Sequence, residues 1–149
     1  MKSLFLFCIF LMIVGCSDND KSNVETPVPL QADVYPQKWL LTAMTGSIAN
    51  VPPTTGEDLE YQETIRLHSD GTFTKIREYD GVTLQASGAF EVVEKSDGDY
   101  LILTFPEKNA LVGNCSNEPK EWFRFDSDTK LIGTWWACDG PGLFYDRVE

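Results

Sequence analysis

Three Asp-Gly pairs, at positions 70–71, 80–81 and 97–98, cut the middle of this chain into short segments in which apolar residues recur at every second position. Asp-Gly supplies the positive φ angles that tight hairpins require, and a period of two sends alternate side chains to opposite faces of a strand. Together they commit the chain to antiparallel β-structure, and no stretch beyond residue 37 carries a convincing helical period. The spacing predicts strands over 38–44, 61–68, 72–79, 82–94, 99–105, 120–126, 130–138 and 143–148. Eight strands joined mostly by tight turns form an up-and-down meander. Such a meander can close into a small barrel, which removes exposed edges and leaves room for one small ligand.

The alternation assigns faces. Trp39, Leu41 and Ala43 share one face of the first strand. Tyr61, Ile65 and Leu67 share one face of the second, with Glu63 the exception among them. Gly88, in the middle of a long apolar face from Val82 to Val92, marks a bend or bulge. Two irregular connections, 45–60 and 106–119, are long for a compact domain, and loops of that length often serve as lids or binding loops. Trp135 and Trp136 are consecutive, so in a strand one points inward and the other outward. If Cys138 pairs with Leu143, Trp136 lies opposite Tyr145, and an outward group of Trp122, Trp136 and Tyr145 forms an exposed aromatic patch of the kind that marks binding sites. The alternative is that these rings fill and brace the barrel.

The N-terminus sets the compartment. Lys2 precedes an apolar run from Leu4 to Val14 that ends at Gly15-Cys16. About 20 apolar residues are needed to cross a bilayer as a helix, so this run reads as a removable secretory signal over residues 1–15. Ile13-Val14-Gly15-Cys16 resembles the lipobox of bacterial lipoproteins, and Ser17-Asp18-Asn19-Asp20 resembles the Ser-plus-acidic export signal of Bacteroidetes surface lipoproteins. The resemblance implies cleavage before Cys16, acylation (palmitate among the chains) of the Cys16 thiol, and a lipid-anchored protein of the outer membrane exposed at the cell surface. Each buried methylene contributes about 0.8 kcal/mol and two anchoring signals suffice for stable attachment, so three chains would hold permanently. Residues 16–36 are polar and acidic with three prolines and read as a flexible tether, which leaves 37–149 as one domain. Of four cysteines, Cys8 leaves with the signal and Cys16 is the anchor. Cys115 and Cys138 remain, in a compartment where disulfides persist, and are expected to bridge. If Asp126 pairs with Thr129, that bridge ties the open end of the 120–138 hairpin.

The run from Trp39 to Arg147 is similar to the small lipocalin-like domains of Bacteroidetes lipoproteins. Trp39 opens the first strand, with Gln37 where lipocalins carry glycine. Asp70-Gly71-Thr72-Phe73, Gly88 with Phe90, and Cys138-Asp139-Gly140-Pro141 before Tyr145 and Arg147 carry the rest of the likeness. The resemblance implies that Trp39 packs beneath an arginine that closes the barrel, Arg147 first and Arg124 second.

Composition and motifs narrow the function. A net charge of −11 repels phosphate backbones, which argues against nucleic acid as a partner. The single histidine, His68, stands beside Ser69 and Asp70, but adjacent residues do not make the relay of a catalytic triad. Acidic pairs such as Glu57-Asp58 read as solvated surface, and Ser96-Asp97-Gly98-Asp99 and Asp126-Ser127-Asp128 read as turns without the ligand spacing of a calcium loop. No catalytic residue, metal or cofactor is expected. The expectation is a non-enzymatic, lipid-anchored envelope protein holding a small apolar or amphipathic ligand in its barrel mouth, beside the 45–60 loop. The alternatives are a surface module that recognises glycan or protein through outward aromatics, and a structural or inhibitory barrel with a filled interior.

Overall fold

A computed structural model describes residues 34–46 and 51–149; the signal segment, the Cys16 anchor and all but the end of the 16–36 tether lie outside them. The chain forms β1 (Gln37–Thr45), β2 (Thr54–Thr55), β3 (Gln62–Leu67), β4 (Thr72–Tyr79), β5 (Val82–Lys95), β6 (Gly98–Thr104), β7 (Lys120–Ser127), β8 (Lys130–Gly133) and β9 (Gly142–Arg147). Short 3-10 helices occupy Gly56–Asp58 and Trp135–Cys138. Apart from the two-residue β2, which pairs with the end of β1, eight antiparallel strands follow one another round the sheet and β1 closes on β9. The fold is therefore an all-β, eight-stranded antiparallel barrel, consistent with a lipocalin-like architecture.

The turns explain the register. Asp80 and Gly81 both have positive φ, as a two-residue hairpin between Tyr79 and Val82 demands. At the β3–β4 turn, Asp70 Oδ1 accepts from the Thr72 amide at 3.0 Å and from its hydroxyl at 2.6 Å. Gly88 faces Phe73 across β4–β5, and a Cβ there would collide with the Thr104 carbonyl and come within 2.9 Å of the Phe73 ring. Phe73 uses that space to meet Phe105 edge-on, with ring centroids 4.8 Å apart.

One end of the barrel is sealed by its own loops. Leu59 and Tyr61 at the end of the first long connection, and Leu111 and Val112 in the second, are buried and join the same core as Trp39, Ile65, Phe73, Leu103, Phe123 and Leu143. The axis is thus filled with side chains. The inner face outruns this packing near the β4–β5 turn, leaving Tyr79 of β4 and Val82 and Leu84 of β5 exposed.

One local expectation is corrected. The strand expected over 130–138 stops at Gly133, and Trp135–Cys138 turns as a 3-10 helix. The Trp135 indole docks between Gly113 and Gly140, where side chains would clash with it, and this requires the backbone to leave the strand. The Cys115–Cys138 disulfide is present, with Cα atoms 5.6 Å apart. It joins the β6–β7 loop, just before β7, to the 3-10 helix that follows β8, and so ties the open end of the β7–β8 hairpin as expected.

Candidate functional site at the barrel mouth

Beneath the sealing loops lies a set of charged side chains facing into the barrel. Glu63 on β3 is directly opposite Arg77 on β4, and Lys75 is two residues before Arg77 on the same face. Glu121 on β7 and Tyr145 on β9 approach from across the barrel. Lys75 Nζ lies 2.9 Å from Glu63 Oε1 and 2.7 Å from Glu121 Oε2, with Lys75, Glu63 and Glu121 all buried. Arg77 Nε donates to Glu63 Oε2 at 2.6 Å, and Tyr145 Oη donates to Glu63 Oε1 at 2.6 Å. Two cations thus offset two carboxylates, the arrangement that buried charge requires.

The sealing loop is bound to the same cations. Lys75 Nζ donates to the Leu111 carbonyl at 3.0 Å, and Arg77 Nη1 to the Ala110 carbonyl at 3.3 Å. The Arg77 guanidinium stacks 4.1 Å above the Tyr61 ring. Two buried polar atoms in this group, Tyr61 Oη and Arg77 Nη2, find no hydrogen-bond partner among the described residues. Groups of that kind are rare in protein interiors and call for an explanation.

Burial pushes the Glu121 carboxyl up to about 7 against the opposing pull of Lys75. Burial is the largest influence on Arg77 and works against its charge, but the Glu63 carboxylate with the Tyr61 and Tyr145 phenols together outweigh it and hold the guanidinium above its ordinary value. Burial, then the Glu63 and Glu121 carboxylates, raise Tyr145 well above a free phenol. Burial likewise raises Tyr61, so the phenol stays protonated.

A hollow of about 420 Å³ lies against the sealing loop, lined by the apolar Leu84, Ala86, Pro106, Ala110 and Leu111 and by the polar Gln85, Ser87, Glu107 and Asn109. Leu84 is the cross-strand partner of Arg77, and Ala86 that of Lys75. Ala110 and Leu111 line the hollow, and their carbonyls accept from Arg77 and Lys75 of the charged group.

No protein-family model, curated protein or solved structure matches this chain. Function is therefore read from its own residues.

The aromatic patch expected from the sequence does not assemble. Tyr145 points inward, 1% exposed, and β8 meets β9 in a register that places Leu131 rather than Trp136 opposite it. Trp136 is 60% exposed on the 3-10 helix, while Trp122 sits half-buried on the outer wall of β7. Trp39 and Arg147 are cross-strand partners at the β1–β9 seam, and both are fully buried. Arg124 lies on the outer wall beside Asp126. His68 Nε2 bonds to Thr74 Oγ1 at 3.1 Å while Asp70 caps Thr72, so His68, Ser69 and Asp70 form no relay. Among the described residues no cluster of three His, Cys, Asp or Glu side chains is placed to hold a metal.

The charged residues inside were not singled out from the sequence, apart from Glu63. Its position among apolar neighbours was the one available signal, and Lys75, sharing a face with Phe73, is its counterpart on β4.

Proposed function

We propose that this protein is a lipid-anchored binding protein of the bacterial outer membrane, held through acyl chains on Cys16, whose ligand is a small amphipathic carboxylic acid taken at the barrel mouth. The lipobox-like Ile13-Val14-Gly15-Cys16 supports the anchor and the Ser17–Asp20 stretch supports display at the surface. The observation that carries the ligand is the pair of buried donors without partners, Tyr61 Oη and Arg77 Nη2, beside a partly apolar hollow. In this reading the ligand's carboxylate accepts from those two donors and takes over the contacts that the Ala110 and Leu111 carbonyls now make. Its chain lies along Leu84 and Ala86. The packed axis limits the ligand to the mouth, so short acids are favoured over long ones. The role in this reading is binding.

The test is titration of octanoate and octanol into the mature chain carrying Cys16→Ser. Octanoate is expected to bind about tenfold or more tightly than octanol, since a hydrogen bond to a charged group contributes about 1.5–3 kcal/mol. Tyr61→Phe should remove much of that preference, and Leu84→Asp should abolish binding by replacing the apolar surface along which the chain lies with a carboxylate. Equal affinity for acid and alcohol would overturn the reading.

A further inference from the structure

The outer wall carries a second concavity that shares no residue with the mouth. It is a groove of about 950 Å³ running from the β5–β6 turn across β7, β8 and β9 to the 3-10 helix. Its apolar lining is Val51, Tyr100, Ile132, Phe144 and Trp136, and its polar lining includes Arg124, Thr134, Asp97 and Asp139. From these residues we propose that the groove binds an uncharged oligosaccharide, with one pyranose ring stacked on Trp136.

Three observations support this occupant. Trp136 is 60% exposed, although an indole of this size is usually covered. The backbone that carries it is also fastened on both sides. The neighbouring Trp135 is wedged against Gly113 and Gly140, Ala137 N donates to the Thr134 carbonyl, and Cys138 is bridged to Cys115. A flat apolar platform on a fastened backbone loses less freedom on binding, which favours affinity. The polar lining supplies the third. Arg124 offers donors, while Asp97 and Asp139 offer acceptors, so hydroxyl groups meet both kinds of partner. With cation and anions interleaved, and a chain of net charge −11, the groove selects no anionic ligand. A groove of this volume falls in the range of small-molecule sites, where an apolar lining carries a few placed polar groups. A peptide is the other occupant of similar size, but the groove lacks an unpaired strand edge to extend one: β7, β8 and β9 are each paired on both sides.

The experiment uses the mature chain with Cys16→Ser and four probes, cellotetraose, maltotetraose, xylotetraose and mannotetraose, followed by ligand-observed NMR and tryptophan fluorescence. At least one probe is expected to bind with a dissociation constant below about 1 mM and to shift the fluorescence. Trp136→Ala, a surface change that leaves the core intact, should weaken that binding about tenfold or more. Reduction of Cys115–Cys138 should weaken it several-fold by loosening the platform. Tyr61→Phe should leave it unchanged, which separates this groove from the mouth. The proposal is overturned if none of the four probes binds, or if Trp136→Ala binds as well as the parent.

Discussion

Lys75 is the residue on which the interior electrostatics turn. It is fully buried and contacts both Glu63 and Glu121. Replacing it with Met leaves two carboxylates facing each other in a dry interior, and breaking a buried pair in this way costs about 3–5 kcal/mol. Chemical denaturation should report that loss, and adding Glu121→Gln to Lys75→Met should recover a substantial part of it. A double variant no more stable than Lys75→Met would mean that Glu121 does not share the pair. Glu121 carries its own pH signature. Its folded-state pKa, about 7, lies above the ordinary carboxyl value of 4.5. A raised pKa stabilises the fold below the ordinary value, and that stability is lost as pH rises through 7. Between pH 5.5 and 8.5 the parent should therefore lose about 1–3 kcal/mol from this group, and Glu121→Gln should flatten the profile. Parallel thermal melting curves for the two proteins across that range would contradict the assignment. None of this was readable from spacing. Glu63 stood out because its neighbours 61, 65 and 67 are apolar. Glu121, between Lys120 and Trp122, looked like any strand-end acid, because its partners come from strands remote in sequence.

At the scale of elements, the hairpins were legible and the long connections were not. Asp70-Gly71 and Asp80-Gly81 fix their turns through local backbone chemistry alone, so their strands begin and end within a residue or two of expectation. Trp135–Cys138 reads as strand because its residues suit one. It folds as a 3-10 helix because Gly113 and Gly140 open a slot for Trp135 and Cys115 captures Cys138, none of which a local window contains. That dependence makes the disulfide the main fastener of the sealed end. Its closed loop spans a sequence separation of 23, and a loop of this size contributes about 3 kcal/mol in the chain-entropy model. Reduction should lower the melting temperature, and amides at 111–113 and 135–138 should lose hydrogen-exchange protection first, ahead of β3 to β6. Uniform loss of protection across all strands would show that the disulfide supports the whole barrel rather than its lid.

For the whole molecule, closure decides how the protein behaves, and it depends on contacts between the two ends of the domain. β1 pairs with β9 from Trp39–Arg147 to Thr45–Gly142 with a bulge between Leu41 and Ala43, and Val148 N and the Glu149 carbonyl extend the ladder to Lys38. An open meander of the same strands would present two edges, free to fray or to recruit other chains. A closed one has no such edge, and each strand opens only when its neighbours do. The alternating pattern allowed a barrel, yet it did not require one, since an open sheet satisfies the same period. What decides it is the pairing of residues about 100 positions apart, with Trp39 and Arg147 fully buried at the seam. Native-state hydrogen exchange distinguishes the two outcomes. With the seam closed, the amides of Leu40, Leu41 and Tyr145 should exchange through the same global opening as those of Lys75 and Ile76 in β4, with matching free energies and the same denaturant dependence. Exchange at β1 and β9 that is about a hundredfold faster than in β4 and insensitive to denaturant would mean that the seam opens by itself, and the barrel would then be an eight-stranded sheet with a latch.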